Sequence, residues 1–336
     1  MAGIEEKDIC LYVGIPFCPT RCAYCSFVSQ SVEKSMKLIP PFLEALHQEI
    51  KATAAEIRAL GLRVISVYMG GGTPTTLSAE QLDGLCSALE EEFDLSQIRE
   101  YTVEAGRPDT ITLEKLRVLR RHGVDRVSVN PQTMSDSVLE AIGRRHSAAD
   151  IVSALEKVRQ VGGFAVNMDL IAGLPTDTVP CFADTVEQVL VLSPENVTVH
   201  TLSLKKGSRI TLEGSDLPTA AEVGAMLDIA QEKLRSADYA PYYLYRQKFM
   251  SGGFENVGWS REGYINLYNI CIMEELCSII AMGGGGSTKL VRQDGGRNIR
   301  IMEPKYPLEY INGIEKTCAD KRGISDFYTE RSQEEE

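Results

Sequence analysis

Six β-rich runs, at residues 9–14, 64–69, 100–104, 126–129, 165–171 and 196–202, alternate with amphipathic stretches of helical length. The intervening helices are expected at 41–60, 79–93, 113–122, 135–142 with 148–161, 182–192 and 220–236. This rhythm allows few folds. Consecutive parallel strands need a long crossover, usually a helix, and a strand covered on both faces reads as a nearly continuous apolar run. The chain therefore predicts an α/β architecture, a parallel sheet covered by helices. Six repeats suit an open partial (β/α)6 barrel better than a closed one. Helix starts are marked by Ser78, with Gln81 three residues on, and by Thr112 before Leu113. Such residues accept hydrogen bonds from the unpaired N–H groups of a first turn.

After Tyr245 the texture changes, with Gly252-Gly253, Gly258 and then Gly283 through Gly286. Apolar-rich runs at 287–292 and 297–302 flank Asp294-Gly295-Gly296, which reads as a hairpin turn because these residues tolerate positive φ. A last helix is expected at 308–319, followed by a polar, acidic tail. The organisation expected is a barrel over 1–245, a smaller C-terminal α+β extension over 246–330 and a disordered tail over 331–336.

No apolar run approaches the 18 residues of a membrane span. The stretch from Met1 to Asp8 lacks the basic and apolar regions of a signal peptide, so a cytoplasmic protein is expected. A net charge of −12 argues against nonspecific nucleic-acid binding, which needs a basic face, and an anionic ligand must find a local basic pocket. A monomer is expected. Nine cysteines in a reducing compartment are thiols available for metal or redox work rather than structural bridges.

Three of them, Cys18, Cys22 and Cys25, stand just past the first strand. A loop at the C-terminal end of a barrel strand is where α/β barrels place their active sites. Three thiolates within eight residues can wrap one cubane iron-sulfur cluster and leave one iron without a protein ligand. The alternatives are three incidental buried cysteines or a zinc knuckle, and a knuckle wants a fourth Cys or His at short spacing, for which Cys10 and His47 are poorly placed. A second segment, Gly70-Gly71-Gly72-Thr73-Pro74, ends the second strand, where glycines let the backbone approach a ligand. By itself such a turn is usually only a turn. Asp169 interrupts an apolar strand, which is costly unless it is paired or bound. A ligand contact or a buried hydrogen bond would each account for it. Arg144, beside Arg145, reads from its neighbours alone as a solvated charge.

The cysteine loop resembles the radical S-adenosylmethionine (SAM) superfamily, whose pattern is C-x3-C-x2-C with an aromatic residue before the last Cys, here Tyr24. The resemblance covers most of the chain. It implies a [4Fe-4S] cluster whose fourth iron binds the amino and carboxylate groups of SAM, and an electron that cleaves the sulfonium to give a 5′-deoxyadenosyl radical. The glycine segment resembles that family's GGTP motif, which holds the SAM amino group. In order, Tyr12, the three cysteines, Gly71-Gly72-Thr73, Glu104, Gln132, Arg144, Asp169 and Ile171 are similar to a narrower group, the oxygen-independent coproporphyrinogen III oxidase family. There Tyr12 would pack on the cluster side, and the carboxylates and Arg144 would contact the SAM amino group, ribose and carboxylate. Residues 122–128 and 169–175 resemble the same group, and 255–258 with 282–287 look most like HemZ-type coproporphyrinogen dehydrogenases.

The pattern also departs from that family. Phe27 stands where authenticated anaerobic oxidases have a further Cys. HemZ-type chains usually carry a long N-terminal extension, whereas seventeen residues precede Cys18 here, which leaves open a shortened chain or a different substrate. The resemblance implies anaerobic oxidative decarboxylation of coproporphyrinogen propionates to vinyl groups, with a tetrapyrrole substrate and an electron donor such as flavodoxin or ferredoxin. Candidate cations for its carboxylates are Lys205, Lys206, Arg209, Arg246, Lys248 and Arg261, each equally readable as a surface charge. The competing class is a haem carrier on the same scaffold. Those relatives have a His-Asn-x-x-Tyr segment, and the comparable Ile265-Asn266-Leu267-Tyr268-Asn269 has no His. A radical methyltransferase or haem-degrading enzyme is a third option. Core packing is the default for Cys10, Cys86, Cys181, Cys271, Cys277 and Cys318, with Cys271 and Cys277 a weak candidate for a second site. The run Tyr239, Tyr242, Tyr243 and Tyr245 reads as core or strand face, with Tyr245-Arg246-Gln247-Lys248 able to face the barrel mouth.

Overall fold

The structure, a computed structural model, describes residues 3–25, 30–31, 35–203, 216–246, 251–292 and 296–334. Six strand-helix units follow one another as the sequence rhythm requires. They are β1 (Asp8–Ile15) with α1 (Ile39–Leu60), β2 (Arg63–Gly71) with α2 (Ala79–Glu92), and β3 (Glu100–Glu104) with α3 (Leu113–Arg121). After them come β4 (Arg126–Ser128) with α4 (Asp136–Ala141) and α5 (Ala148–Val161), β5 (Ala165–Ala172) with α6 (Val179–Leu192), and β6 (Asn196–Thr201) with α7 (Ala220–Ser236). The expected caps form: Ser78 and Gln81 make a reciprocal capping box, and Thr112 accepts from the Lys115 N–H.

The later segments are β7 (Ala240–Tyr245), β8 (Asn256–Ser260), α8 (Leu267–Met273), β9 (Ser278–Gly283), β10 (Ser287–Leu290), β11 (Ile299–Met302), α9 (Pro307–Asn312), α10 (Ile314–Asp320) and α11 (Arg322–Glu334). They lengthen the sheet at both edges, giving the order β11-β10-β9-β1-β2-β3-β4-β5-β6-β8-β7. From β9 through β6 all neighbours are parallel, so β9 is a seventh parallel strand lying against β1. The hairpin of β10 and β11 and the pair β7-β8 close the two flanks in antiparallel fashion. The end strands do not pair, and the barrel stays open. The turn expected at Asp294-Gly295 lies outside the described residues.

The strands differ from the continuous apolar runs expected. On the outer face Ile9, Leu11, Val67, Val103, Val127, Val166 and Met168 pack under the helices with no exposed surface. On the inner face every second residue is polar: Ser66 and Tyr68 on β2, Thr102 and Glu104 on β3, Asn167 and Asp169 on β5, Thr198 and His200 on β6. A barrel that fails to close leaves this face beside a cavity rather than beside another apolar layer, and the period of two follows from that. Helix α8 lies against the inner face. Glu100 on β3 accepts hydrogen bonds from the N–H groups of Leu267 (2.9 Å) and Tyr268 (3.1 Å), and Asn266 caps the helix by accepting from Asn269. These satisfy groups that a helix start leaves unpaired.

A buried ion cluster ties the C-terminal helices to α1. Lys321 Nζ lies 2.6 Å from Glu49 Oε1 and 2.6 Å from Glu303 Oε1, and donates to the Ala281 carbonyl at 2.7 Å. Glu49 Oε2 accepts from the Gly283 N–H (2.7 Å) and from the Tyr310 hydroxyl. The tail was expected to be disordered from 331, yet α11 runs to Glu334 because Ile324 and Phe327 are buried in the core and anchor it; residues 335–336 lie outside the described set.

Candidate active site

Past β1 the chain turns at Pro16 and buries Phe17, which meets the Phe42 ring edge-on at 5.3 Å. This anchors the loop that presents Cys18, Cys22 and Cys25. Cys18 Sγ lies 3.3 Å from Thr73 Oγ1, and Arg107 donates to Cys22 Sγ at 3.5 Å. The Ala23 N–H reaches the Ile142 carbonyl at 3.0 Å, and the Tyr24 hydroxyl accepts from Arg144 at 3.1 Å. Burial pushes the Tyr24 phenol above its ordinary range, so it stays neutral. None of the nine cysteines, all of them described, is in a disulfide.

The glycine segment at the end of β2 is pressed onto this loop. The Gly72 N–H donates to the Ile15 carbonyl (2.8 Å) and the Thr73 N–H to the Phe17 carbonyl (2.7 Å). A Cβ on Gly72 would stand 2.5 Å from the Phe17 oxygen, and Gly71 has φ +104°, so both positions require glycine.

The next strand ends deliver the polar groups. Glu104 accepts from the Tyr68 hydroxyl at 2.6 Å. Burial pushes its carboxyl up to about 7, helped by the neighbouring Asp169 charge and opposed by the Tyr68 hydrogen bond. Asp169 goes the other way: burial would raise it, but His200, Asn167 and Thr198 together hold it below the usual carboxylate range. Its Oδ2 is 3.7 Å from His200 Nε2, and its Oδ1 accepts from Asn167 at 2.8 Å. Tyr245 Oη lies 3.4 Å from His200 Nδ1. Gln132 has φ +68°, unusual for a residue other than glycine, and is held there by hydrogen bonds to the Asp169 carbonyl and the Ile171 N–H, both 2.9 Å.

Arg144 is buried, against the reading of a solvated charge, while Arg145 is exposed. Its Nη1 donates to the Asn130 carbonyl at 2.8 Å. Burial would lower its pKa, but Tyr24 and Cys22 beside it raise it further, so it stays cationic.

These groups surround one cavity of about 390 Å3, within the roughly 300–1,000 Å3 of small-molecule sites. Its walls include Cys18, Cys22, Cys25, Gly71, Gly72, Thr73, Glu104, Gln132, Arg144, Asp169 and Ile171. Tyr12 backs these walls without lining the cavity: its hydroxyl is 3.4 Å from where a Cβ on Gly71 would stand, and its ring is stacked 6.2 Å from Tyr68 and 6.3 Å from Tyr268. Sequence reasoning passed over Tyr68, Arg107, Asn167, His200 and Asn269, which also line the cavity. The alternation of polar residues along β2, β5 and β6 was the signal for three of them. Of the proposed cations, Arg246 pairs with Glu255 on the surface (3.1 Å). Arg261 stacks over Tyr239 at 5.1 Å, and its N–H bonds to Glu195 just ahead of β6, the end of the strands away from the cavity. Lys205, Lys206, Arg209, Lys248, Gln247 and Phe27 lie outside the described residues.

The donor set suits an anionic group bound beside the cysteine loop. Among the described residues, Arg107, which pairs with Asp109 through Nε at 3.2 Å, keeps a buried Nη2 without a hydrogen-bond partner, as Arg144 does its Nε, and both side chains face Cys22. A buried guanidinium with spare donors is costly unless an anion completes it.

The family model for the radical SAM superfamily matches residues 12–189. The chain belongs to the radical SAM superfamily. Membership implies a [4Fe-4S] cluster and SAM as cofactors. The chain is 41% identical over 319 residues to the oxygen-independent coproporphyrinogen-III oxidase-like protein HemZ of Bacillus subtilis (strain 168), covering 94% of this chain and 64% of that protein's length. It is 33% identical over 273 residues to the heme chaperone HemW of Lactococcus lactis subsp. lactis (strain IL1403), covering 78% of this chain and 68% of the relative. The coproporphyrinogen III oxidase structure (HemN) from Escherichia coli shares the fold, with a TM-score of 0.75 at 24% identity, covering 93% of this chain and 70% of that one. Among the described residues no helix is long and apolar enough to cross a membrane.

Proposed function

We propose that this chain is a radical SAM enzyme that oxidatively decarboxylates propionate side chains of coproporphyrinogen III to vinyl groups. In this reading Cys18, Cys22 and Cys25 hold the cluster, and Gly71, Gly72, Thr73, Glu104, Gln132, Arg144, Asp169 and Ile171 hold SAM. When bound, the two cofactors supply reductive cleavage of the sulfonium and a 5′-deoxyadenosyl radical. The protein's own part is orientation and exclusion of water. The glycine turn brings backbone groups close to the ligand, while Glu104 and Asp169 offer acceptors to the ammonium and ribose. Arg107 and Arg144 offer donors to a carboxylate. Tyr12 acts from behind the wall, through its stack with Tyr68.

The observation that carries the reading is the single cavity that brings Cys18, Cys22 and Cys25 together with the glycine turn, Glu104, Asp169, Arg107 and Arg144. The names of the HemZ and coproporphyrinogen oxidase relatives support the substrate class, and the chaperone name of HemW supports a haem carrier as the second reading. A carrier needs a lasting ligand for haem iron. The segment comparable to the carriers' His-Asn-x-x-Tyr, Ile265 to Asn269, has no His, and His200, the one His on the cavity wall among the described residues, faces Asp169 at 3.7 Å and Tyr245 at 3.4 Å, which favours the enzyme. The test is anaerobic incubation of reconstituted protein with SAM, a flavodoxin- or ferredoxin-type reductant and coproporphyrinogen III, followed by product mass. Vinyl products with loss of CO2 are expected. SAM cleavage without CO2 loss would refute the substrate, and stoichiometric haem transfer without SAM cleavage would establish the carrier.

A further inference from the structure

Away from the cavity mouth, three cysteines from three separate elements converge. Cys10 lies near the start of β1, Cys271 in the last turn of α8, and Cys277 just ahead of β9. Their three sulfurs all lie within 4.8 Å of one another, and Cys10 Sγ is 3.6 Å from Cys277 Sγ. All three are buried, in a shell of Ile65, Tyr268 and Ile279. We propose that Cys10, Cys271 and Cys277 form a second metal site, distinct from the cysteine loop, that holds one thiophilic d10 cation, zinc or monovalent copper.

The spacing decides the nuclearity. Zinc-sulfur bonds of about 2.3 Å put sulfurs about 3.8 Å apart in a tetrahedral site and about 4.0 Å apart in a trigonal one. Cys10 and Cys277, 3.6 Å apart, stand close to that span, and Cys271 Sγ lies within 4.8 Å of both. A four-iron cube holds its cysteine sulfurs wider apart, so this is not a second cluster site. The donor type decides the ion class, because thiolates in an apolar shell select zinc or monovalent copper over hard cations. Ordinary core packing would explain each buried cysteine singly, since free Cys is among the most buried residues. It does not require three sulfurs from a strand, a helix and a strand approach to point at one spot. A disulfide would join two of them and leave the third without purpose.

The site lies well away from the loop. From Cys10 to Ile15 alone, β1 spans roughly 17 Å at about 3.3 Å per residue, and the chain then continues to Cys18. It has a structural consequence at the cavity all the same. Helix α8 carries Asn269 and Met273 to the cavity wall, with Cys271 between them, and Tyr268 stacks on Tyr68 at 4.4 Å. An ion bound by the trio clips α8 to β1 and to the approach of β9, fixing the floor under the cavity. Binding exchanges thiol protons for the metal, with no change of oxidation state.

The proposal is independent of the substrate reading and is tested in the full chain with Cys18→Ala, Cys22→Ala and Cys25→Ala combined, which removes the loop as a metal site. Under anaerobic conditions this protein is titrated with zinc chloride against a chromogenic chelator, and in a parallel arm with monovalent copper against a copper(I)-selective chelator. One equivalent of one or other ion is expected to resist the chelator. Adding Cys271→Ser or Cys277→Ser should remove it, while Cys86→Ser and Cys181→Ser should leave it in place. The thermal midpoint should rise with the retained ion and stay flat in the Cys271→Ser protein. Two serine variants guard against one failing to fold, and circular dichroism reports that directly. No uptake in either arm, uptake that persists when Cys271 and Cys277 are both serine, or a Cys10–Cys277 disulfide by mass in a metal-free chain would overturn the proposal.

Discussion

Replacing Glu104 by Gln should flatten the pH dependence of SAM binding. The wild-type carboxyl is pushed up to about 7 by burial, with the Asp169 charge adding and the Tyr68 hydroxyl subtracting. A ligand ammonium is held by the ionised form only. With a pKa near 7, roughly one-tenth of Glu104 is ionised at about pH 6 and one-half at about pH 7, so affinity should tighten roughly fivefold over that interval, or about 1 kcal/mol. The sign follows from the raised pKa: affinity is lost as pH falls through 7, not through 4.5. Above about pH 7.7 the ligand's own α-amino group loses its proton, so the comparison is confined to the ascending limb. Gln keeps an acceptor for Tyr68 but carries no charge. It should therefore weaken binding by about 1.5–3 kcal/mol at the upper pH and by about 1 kcal/mol less than that at the lower one. Equilibrium dialysis of radiolabelled SAM against anaerobic protein with its cluster left oxidised, which prevents cleavage, measures both profiles. Equal slopes in the two proteins, or a flat wild-type profile, would refute the assignment of the ammonium to Glu104.

Replacing Cys18, Cys22 or Cys25 by Ala should abolish the iron content of reconstituted protein while Cys86→Ala leaves it unchanged; normal iron in the Cys22 variant would sink the cluster assignment. Asp169→Asn should cost on the order of 1.5–3 kcal/mol of SAM affinity without altering cluster absorbance, and unchanged affinity by the same dialysis would return Asp169 to a structural role. Gly72→Ala puts a Cβ 2.5 Å from the Phe17 oxygen and should lower stability by about 1–3 kcal/mol, read as an earlier denaturant midpoint. Lys321→Ala leaves Glu49 and Glu303 buried without their cation and should cost about 3–5 kcal/mol in the same assay, with Glu303→Gln restoring part of the loss.

What could be read from the chain was chemistry local in sequence. Cys18, Cys22 and Cys25 sit within eight residues, and the glycine segment ends a strand that is next in order, so their meeting needs only one β-α step. Arg144 was misjudged because its setting is tertiary: the carbonyl of Asn130 and the hydroxyl of Tyr24 remove it from water, and neither is visible in Gly143-Arg144-Arg145. His200 and Asn167 went unnoticed because the strands were read as continuous runs rather than in steps of two. Strand β9 escaped for a different reason. Its partner is β1, far away in the chain, and its glycine-rich exit looked like a loop. The structure accounts for those glycines, since a Cβ on Gly283 would stand 2.3 Å from the Gly14 oxygen and one on Gly284 2.7 Å from the Pro16 ring.

That late pairing has a bearing on biogenesis. The strand leading into the cysteine loop has its second neighbour only when residues 278–283 arrive, and until then one whole side of β1 is an unpaired edge. At about 5–20 residues per second, ribosomes take roughly 13–54 seconds to travel from the end of β1 to the end of β9. During that interval the nascent chain displays an apolar strand open to mispairing. The base of the loop, at Gly14 and Pro16, likewise lacks the glycine backbone that will buttress it. Chains halted before residue 283 keep that edge of β1 open and should be the ones that aggregate.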